Sequence, residues 1–185
     1  MSDDAEGLRI FLVGPMGSGK STVGRHLSDI LGCPFIDSDA EIESRAGADI
    51  PWIFDVEGEE GFRRRETTVL KDLVEHPGAV VATGGGVILA AENREMMTRA
   101  GVVVFLNVSV AQQLKRTGSG EGRPLLQQGD REETLKQLMA EREPLYRALA
   151  DVIISAGGGT ARNVAGQIEA VLRERGLIPR HDGEY

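Results

Sequence analysis

Gly14-Pro15-Met16-Gly17-Ser18-Gly19-Lys20-Ser21 has the spacing G-x-x-x-x-G-K-[ST] of a phosphate-binding loop. Each residue type in it has a physical task. Glycines lack a Cβ, so successive backbone N–H groups can curl around a phosphate. A helix that begins near Lys20 adds the positive end of its dipole at the same point. The Lys20 ammonium then reaches the β- and γ-phosphates, and the Ser21 hydroxyl is a hard oxygen ligand for Mg²⁺. Gly14, Gly17, Ser18, Gly19, Lys20, Ser21 and Thr22 are therefore the candidate nucleotide-binding residues. A glycine-rich turn between strand and helix would explain the glycines and leave Lys20 unexplained.

Further along the chain, three groups of residues suit the other half of a phosphoryl transfer. Asp37 and Asp39 flank Ser38 at the end of a short apolar run. One carboxylate suits Mg²⁺, directly or through water, and the other suits an attacking hydroxyl. The pair also reads as an acidic helix cap before Ala40. Arg63-Arg64-Arg65 follows Phe62 in a helical pattern. Consecutive helical side chains point about 100° apart, so at most one or two of these arginines can serve one ligand; the rest form a solvated face with Glu66. Gly84-Gly85-Gly86 ends another apolar run, and three glycines permit close backbone approach to a small anion. Arg116, Arg123, Arg147 and Arg162 lie in the second half. Arg123 sits in a glycine-rich stretch, where an arginine can arrive as a site closes and water leaves.

The elements that must hold these residues alternate. Apolar runs at 8–13, 33–36, 79–83, 102–106 and 151–154 read as strands, and helical patterns separate them. Such alternation predicts a mainly parallel sheet with helices on both faces, a three-layer α/β domain. Right-handed crossovers then bring the carboxyl ends of all five strands to one edge. The phosphate loop, the Asp pair and the triple glycine all fall on that edge. One domain over 1–185 is expected, with a helical substrate-binding subdomain at about 38–76 and a mobile lid at about 117–130.

Composition removes other classes. The net charge is −8, which argues against a general nucleic-acid or membrane-surface binder. Of the 21 cations, 17 are arginines, the residue suited to bidentate capture of phosphate and carboxylate. Cys33 is the single cysteine, so an internal disulfide is impossible. The three histidines are scattered, without metal-ligand spacing. The acidic start (Asp3, Asp4, Glu6) lacks a secretory pattern, and no apolar run has the length of a membrane span. A cytoplasmic protein is expected. There is no G-x-S-x-G elbow and no dinucleotide fingerprint.

The ordered set Gly14–Ser21, Asp37-Ser38-Asp39, Phe62-Arg63-Arg64, Gly84-Gly85-Gly86, Arg123-Pro124-Leu125-Leu126 and Pro144-Leu145-Tyr146-Arg147 resembles the shikimate kinase family. The resemblance runs from about Ile10 to Leu172. It implies a nucleoside-monophosphate-kinase-like P-loop fold with five parallel strands in the order 2-3-1-4-5. It also implies ATP as cosubstrate, one Mg²⁺ per subunit, and transfer to the 3-hydroxyl of shikimate; a monomer is expected. By the same resemblance Lys20 contacts the phosphates and Ser21 binds Mg²⁺, with Asp37 holding the metal through water. Asp39 binds the shikimate hydroxyls and orients or deprotonates the attacking one. Arg63 and Arg147, with the backbone of Gly84, Gly85 and Gly86, hold the carboxylate and ring. Arg123 closes with the lid, and Lys20, Asp39 and Arg123 form the catalytic set. Arg116 and Arg162 border the adenine. The stretch Gly157-Gly158-Gly159-Thr160-Ala161 is more glycine-rich than the family's adenine loop. Alternatives are another small-metabolite P-loop kinase, such as gluconate kinase, and a nucleotide-binding regulatory module without acceptor chemistry.

Overall fold

Side chains alternate across each strand, and that alternation decides which helices cover which face. The computed structural model describes residues 7–118, 122–127 and 129–178. Its strands are β1 (Arg9–Val13), β2 (Phe35–Asp37), β3 (Ala79–Ala82), β4 (Val102–Asn107) and β5 (Val152–Ser155). They form one parallel sheet in the order β2-β3-β1-β4-β5, as the resemblance implies. Phe11 stands opposite Val81 of β3 and Val103 of β4. Ile10, Leu12, Val80, Val104 and Leu106 face one way, onto α1 (Lys20–Leu31) and α7 (Ala161–Glu174). Phe11, Val13, Val81, Val103 and Phe105 face the other way. There they meet α3 (Ile50–Leu73), α4 (Ala91–Ala100) and α6 (Arg131–Leu149). The central strand β1 is buried on both faces, and the phosphate loop leaves from its carboxyl end.

Two helices, α2 (Ser38–Ala46) and α3, fill the connection from β2 to β3. Asp37 caps α2: its Oδ1 accepts from the backbone N–H of Asp39 at 3.0 Å and of Ala40 at 3.2 Å. Asp49 caps α3 by accepting from the Trp52 N–H at 2.9 Å, and Pro51 sits in the first turn, where its missing N–H costs nothing. Glycines at 58 and 61 both predict interruptions. Gly58 alone leaves helical geometry, with φ 70° and ψ 178°, and α3 resumes through Gly61 without a break.

The helix α5 (Val110–Thr117) leads into the stretch expected to be a lid. A short 3-10 turn, Pro124–Leu126, forms there, with Leu126 buried against α6. Residues 119–121 and 128 of that stretch lie outside the described residues. No described helix is long and apolar enough to cross a membrane.

Candidate active site

One cavity of about 580 Å³ opens along the carboxyl edge of the sheet. Its floor is the phosphate loop. The Lys20 ammonium folds back on that loop, donating to the carbonyls of Gly14 at 2.8 Å and Pro15 at 2.9 Å. Burial lowers its pKa to about 8, and the nearby guanidinium of Arg123 adds to the shift against the pull of Asp39. The Ser21 hydroxyl donates to Asp37 Oδ2 at 2.6 Å. A hydroxyl and a carboxylate thus meet at the cavity wall, a pair of hard oxygens of the kind Mg²⁺ accepts beside phosphate and water. Among the described residues no group of three or more acidic, His or Cys side chains forms a self-sufficient metal cage.

The opposite wall is charged. Asp39, one residue into its helix, faces the cavity with Oδ1 lacking any hydrogen-bond partner. Burial first, and the neighbouring Asp37 carboxylate second, push the Asp39 pKa up to about 6. Glu66 is almost fully buried; its Oε1 accepts from Arg63 Nη1 at 3.0 Å, and its Oε2 has no partner. Burial raises its carboxyl as well. Asp39 Oδ1 and Glu66 Oε2 each lie 2.8 Å from the place a Cβ on Gly84 would take. A Cβ on Gly86 would run into the Arg63 guanidinium. The two glycines let backbone, carboxylates and guanidinium close on one another, and any side chain there would fill the cradle. Gly85 is fixed differently: its carbonyl accepts from the Tyr146 hydroxyl, a buried phenol whose pKa rises to about 12.

Most of the residues singled out from the sequence come together. Gly17, Ser18, Gly19, Lys20, Ser21, Thr22, Asp37, Asp39, Arg63, Gly84, Gly85, Gly86, Arg116 and Arg123 all line this cavity. Gly14 lies beneath it and accepts from Lys20. Arg116 straps two loops together, donating to the carbonyls of Gly17 at 3.1 Å and Ala156 at 3.0 Å. Arg123 lines the cavity together with Pro124 and Leu125.

Two arginines stand elsewhere. Arg147 is exposed on α6, paired with Glu143 at 2.7 Å and lying over the Phe105 ring at 5.9 Å from its centroid. The cavity is lined instead by Arg142 of the same helix, which is buried and has an unpartnered Nε. The two residues are five apart, about 140° around the helix, so one position faces the site and the other cannot. Arg162 is exposed in the first turn of α7, and the cavity there is lined by Gly159, Ala161 and Val164. Sequence reasoning missed Arg142 and the inward role of Glu66. Position four before Tyr146 marks the first, and four after Phe62 the second: both share a face with a buried aromatic.

A parallel sheet in this order, a glycine loop at the end of its central strand and an arginine-and-carboxylate cavity beside it define a P-loop kinase. The family model described as "Shikimate kinase" matches residues 16–173. The shikimate kinase of Halorhodospira halophila is 56% identical over 89% of this chain and 93% of its own length. That of Vibrio parahaemolyticus is 53% identical over 92% and 99%. Among solved structures, shikimate kinase from Acinetobacter baumannii in complex with shikimate superposes with a TM-score of 0.91 at 50% identity, covering 93% of this chain and 97% of that one. The Aquifex aeolicus enzyme gives 0.80 at 37% identity over 92% and 99%. This chain belongs to the shikimate kinase family.

Proposed function

We propose that the protein transfers the γ-phosphoryl group of ATP to the 3-hydroxyl of shikimate, yielding ADP and shikimate 3-phosphate. The observation that carries this reading is one cavity whose lining brings a phosphate loop together with the Asp39 carboxylate and two guanidinium groups, Arg63 and Arg142. Shikimate is a small carboxylate with three hydroxyls. Two arginines suit its carboxylate, and Asp39 suits its hydroxyls.

In this reading the backbone N–H groups of Gly17 to Ser21 and the start of α1 cradle the nucleotide phosphates, and Arg116 borders the adenine. Lys20 turns from the loop carbonyls to the β- and γ-phosphates. Ser21 and Asp37 would hold Mg²⁺, which neutralises charge on the phosphates when bound. Arg63 and Arg142 grip the acceptor carboxylate, with Gly84 to Gly86 behind the ring. Asp39 accepts the hydrogen bond of the attacking hydroxyl and takes its proton as the new P–O bond forms; a pKa near 6 leaves it ionised at neutral pH. Arg123 brings positive charge to the transferring group and excludes water. The reading includes one Mg²⁺ per subunit and a monomer working in the cytoplasm. A net charge of −8 speaks against nucleic acid or an anionic membrane as partner.

ADP release with shikimate and with gluconate as acceptors tests the reading. Shikimate-dependent release is expected. Turnover of gluconate alone would sink it, and ATP binding without transfer to either would favour a regulatory module.

The lowered Lys20 pKa adds a measurable signature. Free, the ammonium loses its proton above about pH 8. Bound phosphates favour the charged form and raise that value, so ATP binding must take up protons in this range. Calorimetry in buffers of different ionisation enthalpy is expected to show proton uptake at pH 8.5, and ATP affinity is expected to fall as pH rises beyond 8. Proton-neutral binding at pH 8.5 would contradict a Lys20–phosphate contact.

A further inference from the structure

Of the arginine triplet on α3, Arg64 stands out in solvent while Arg63 and Arg65 are half-buried, and all three are paired. Arg63 pairs with Glu59 and Glu66, and Arg64 pairs with the exposed Glu60. Arg65 reaches back to Glu57 with two parallel bonds, Nε to Oε2 at 2.8 Å and Nη2 to Oε1 at 2.6 Å. This spacing of eight residues is unusual. In an unbroken helix the two Cα atoms would stand about 12 Å apart along the axis, beyond the i,i+4 spacing at which helical side chains ordinarily pair.

The pair exists because α3 is jointed. Gly58, at φ 70°, takes a left-handed conformation that side-chain-bearing residues rarely adopt. The fold at this joint presses Glu57 onto the following turn. A Cβ at Gly61 would overlap the Glu57 Cβ, whereas ordinary i,i+4 neighbours keep these atoms about 5–6 Å apart. The joint therefore needs glycine at 58 to turn and at 61 to close. The Arg65–Glu57 fork spans it from outside, and the Phe54 and Phe62 rings pack across it with centroids 4.9 Å apart.

Both halves of α3 line one cavity. Ile50 and Phe54 come from the segment before the joint; Phe62, Arg63 and Glu66 come from the segment after it. The angle at Gly58 thus sets the gap between an apolar wall and the Arg63 guanidinium. We propose that Glu57 and Arg65 are positioning residues: a latch across the Gly58 joint that fixes the width of the acceptor pocket. Neither lines the cavity, so they act through Phe54 and Arg63. The inference rests on the acceptor reading above and predicts a selective effect. With the latch open the acceptor loses fit, while the phosphate loop, on the far side of the cavity, keeps its geometry.

The test uses Arg65→Gln, Glu57→Gln, their double variant and the charge-reversed pair Glu57→Arg with Arg65→Glu. Each single variant is expected to raise the shikimate KM about fivefold, with kcat and the ATP KM changed by no more than about twofold. The double variant is expected to match the singles, because the second change removes a partner already lost. The charge-reversed pair is expected to recover shikimate affinity. Hydrogen exchange of residues 50–57 without substrates is expected to quicken in both singles, with residues 59–73 unaffected. An unchanged shikimate KM, an equal rise in the ATP KM, an additive double variant or unaltered exchange at 50–57 would each overturn the latch. If the unmodified protein transfers nothing to shikimate, the functional reading fails by that result alone, and the exchange measurement still decides the latch.

Discussion

Asp39→Asn is expected to lower kcat by about 10²–10⁴-fold while ATP affinity stays within about twofold of the parent. The amide keeps the shape of the side chain and cannot take the proton of the attacking hydroxyl. The same substitution is expected to stabilise the fold at neutral pH. The Asp39 carboxyl rises from its ordinary value of 3.8 to about 6 on folding. A carboxyl with a raised folded value favours the native state fully only below its unfolded value, and that contribution is lost as pH rises through about 6. Above pH 6 the buried charge beside Asp37 therefore costs on the order of 2–3 kcal/mol, which Asn removes. Thermal unfolding is expected to show the variant more stable than the parent at pH 7.5 and equal to it near pH 3.5. Retained kcat would contradict the acceptor role, and a variant less stable at pH 7.5 would contradict the account of the buried charge. In the parent, kcat/KM is expected to rise with pH through about 6, as Asp39 ionises.

Arg142→Ala and Arg147→Ala are expected to part company. Truncating a buried guanidinium that holds a ligand carboxylate leaves that carboxylate unpaired, and the shikimate KM is expected to rise by about a hundredfold. Arg147 holds an exposed pair with Glu143, of a kind that contributes little, so its removal is expected to change shikimate KM and kcat by less than about twofold. Arg142→Lys keeps the charge without the fork and is expected to recover part of the affinity. ADP affinity serves as the control for folding, because Arg142 also lies against Tyr146. The reverse ranking, with Arg147 the costly position, would show that the cavity described is not the acceptor site.

The phosphate loop was legible because its chemistry is local: glycines, a lysine and a hydroxyl act within eight residues of chain, between a strand and a helix that the apolar pattern also marks. The alternation of strands and helices gave the layers, and the resemblance supplied the strand order, since pairing between distant strands leaves no mark on either one alone. The arginine-and-carboxylate wall was harder to read. Pro144-Leu145-Tyr146-Arg147 drew attention to Arg147, yet Tyr146 is fully buried, and the residue in phase with it is Arg142. Glu66 read as part of a solvated basic face, although it stands in phase with Phe62 and lies among Val69 and Leu70 on the buried stripe. In both cases helical phase relative to a buried aromatic held the answer, and adjacency in the chain misled. Arg162 follows the same lesson: Thr160 caps α7, and positions 161 and 164 turn inward while 162 turns out. A lone glycine weakens a helix, so Gly61 reads as a break; its actual task, admitting Glu57, depends on a contact visible only once the chain is folded.

Asp37 gives its two oxygens to different neighbours: Oδ1 to the start of α2, which carries Asp39, and Oδ2 to Ser21 at the foot of the phosphate loop. One small side chain thus ties the phosphate loop to the helix that carries Asp39. Replacing it cannot report on metal binding alone, because the same change frays the helix that aims Asp39. Asp37→Ala would imitate damage on both sides at once, and a kinetic loss read from it would be assigned to whichever side was under study. The metal side is separable by titrating Mg²⁺ against the unaltered chain and by changing Ser21, which leaves the cap intact; what Asp37→Ala loses beyond the Ser21 variant belongs to the helix.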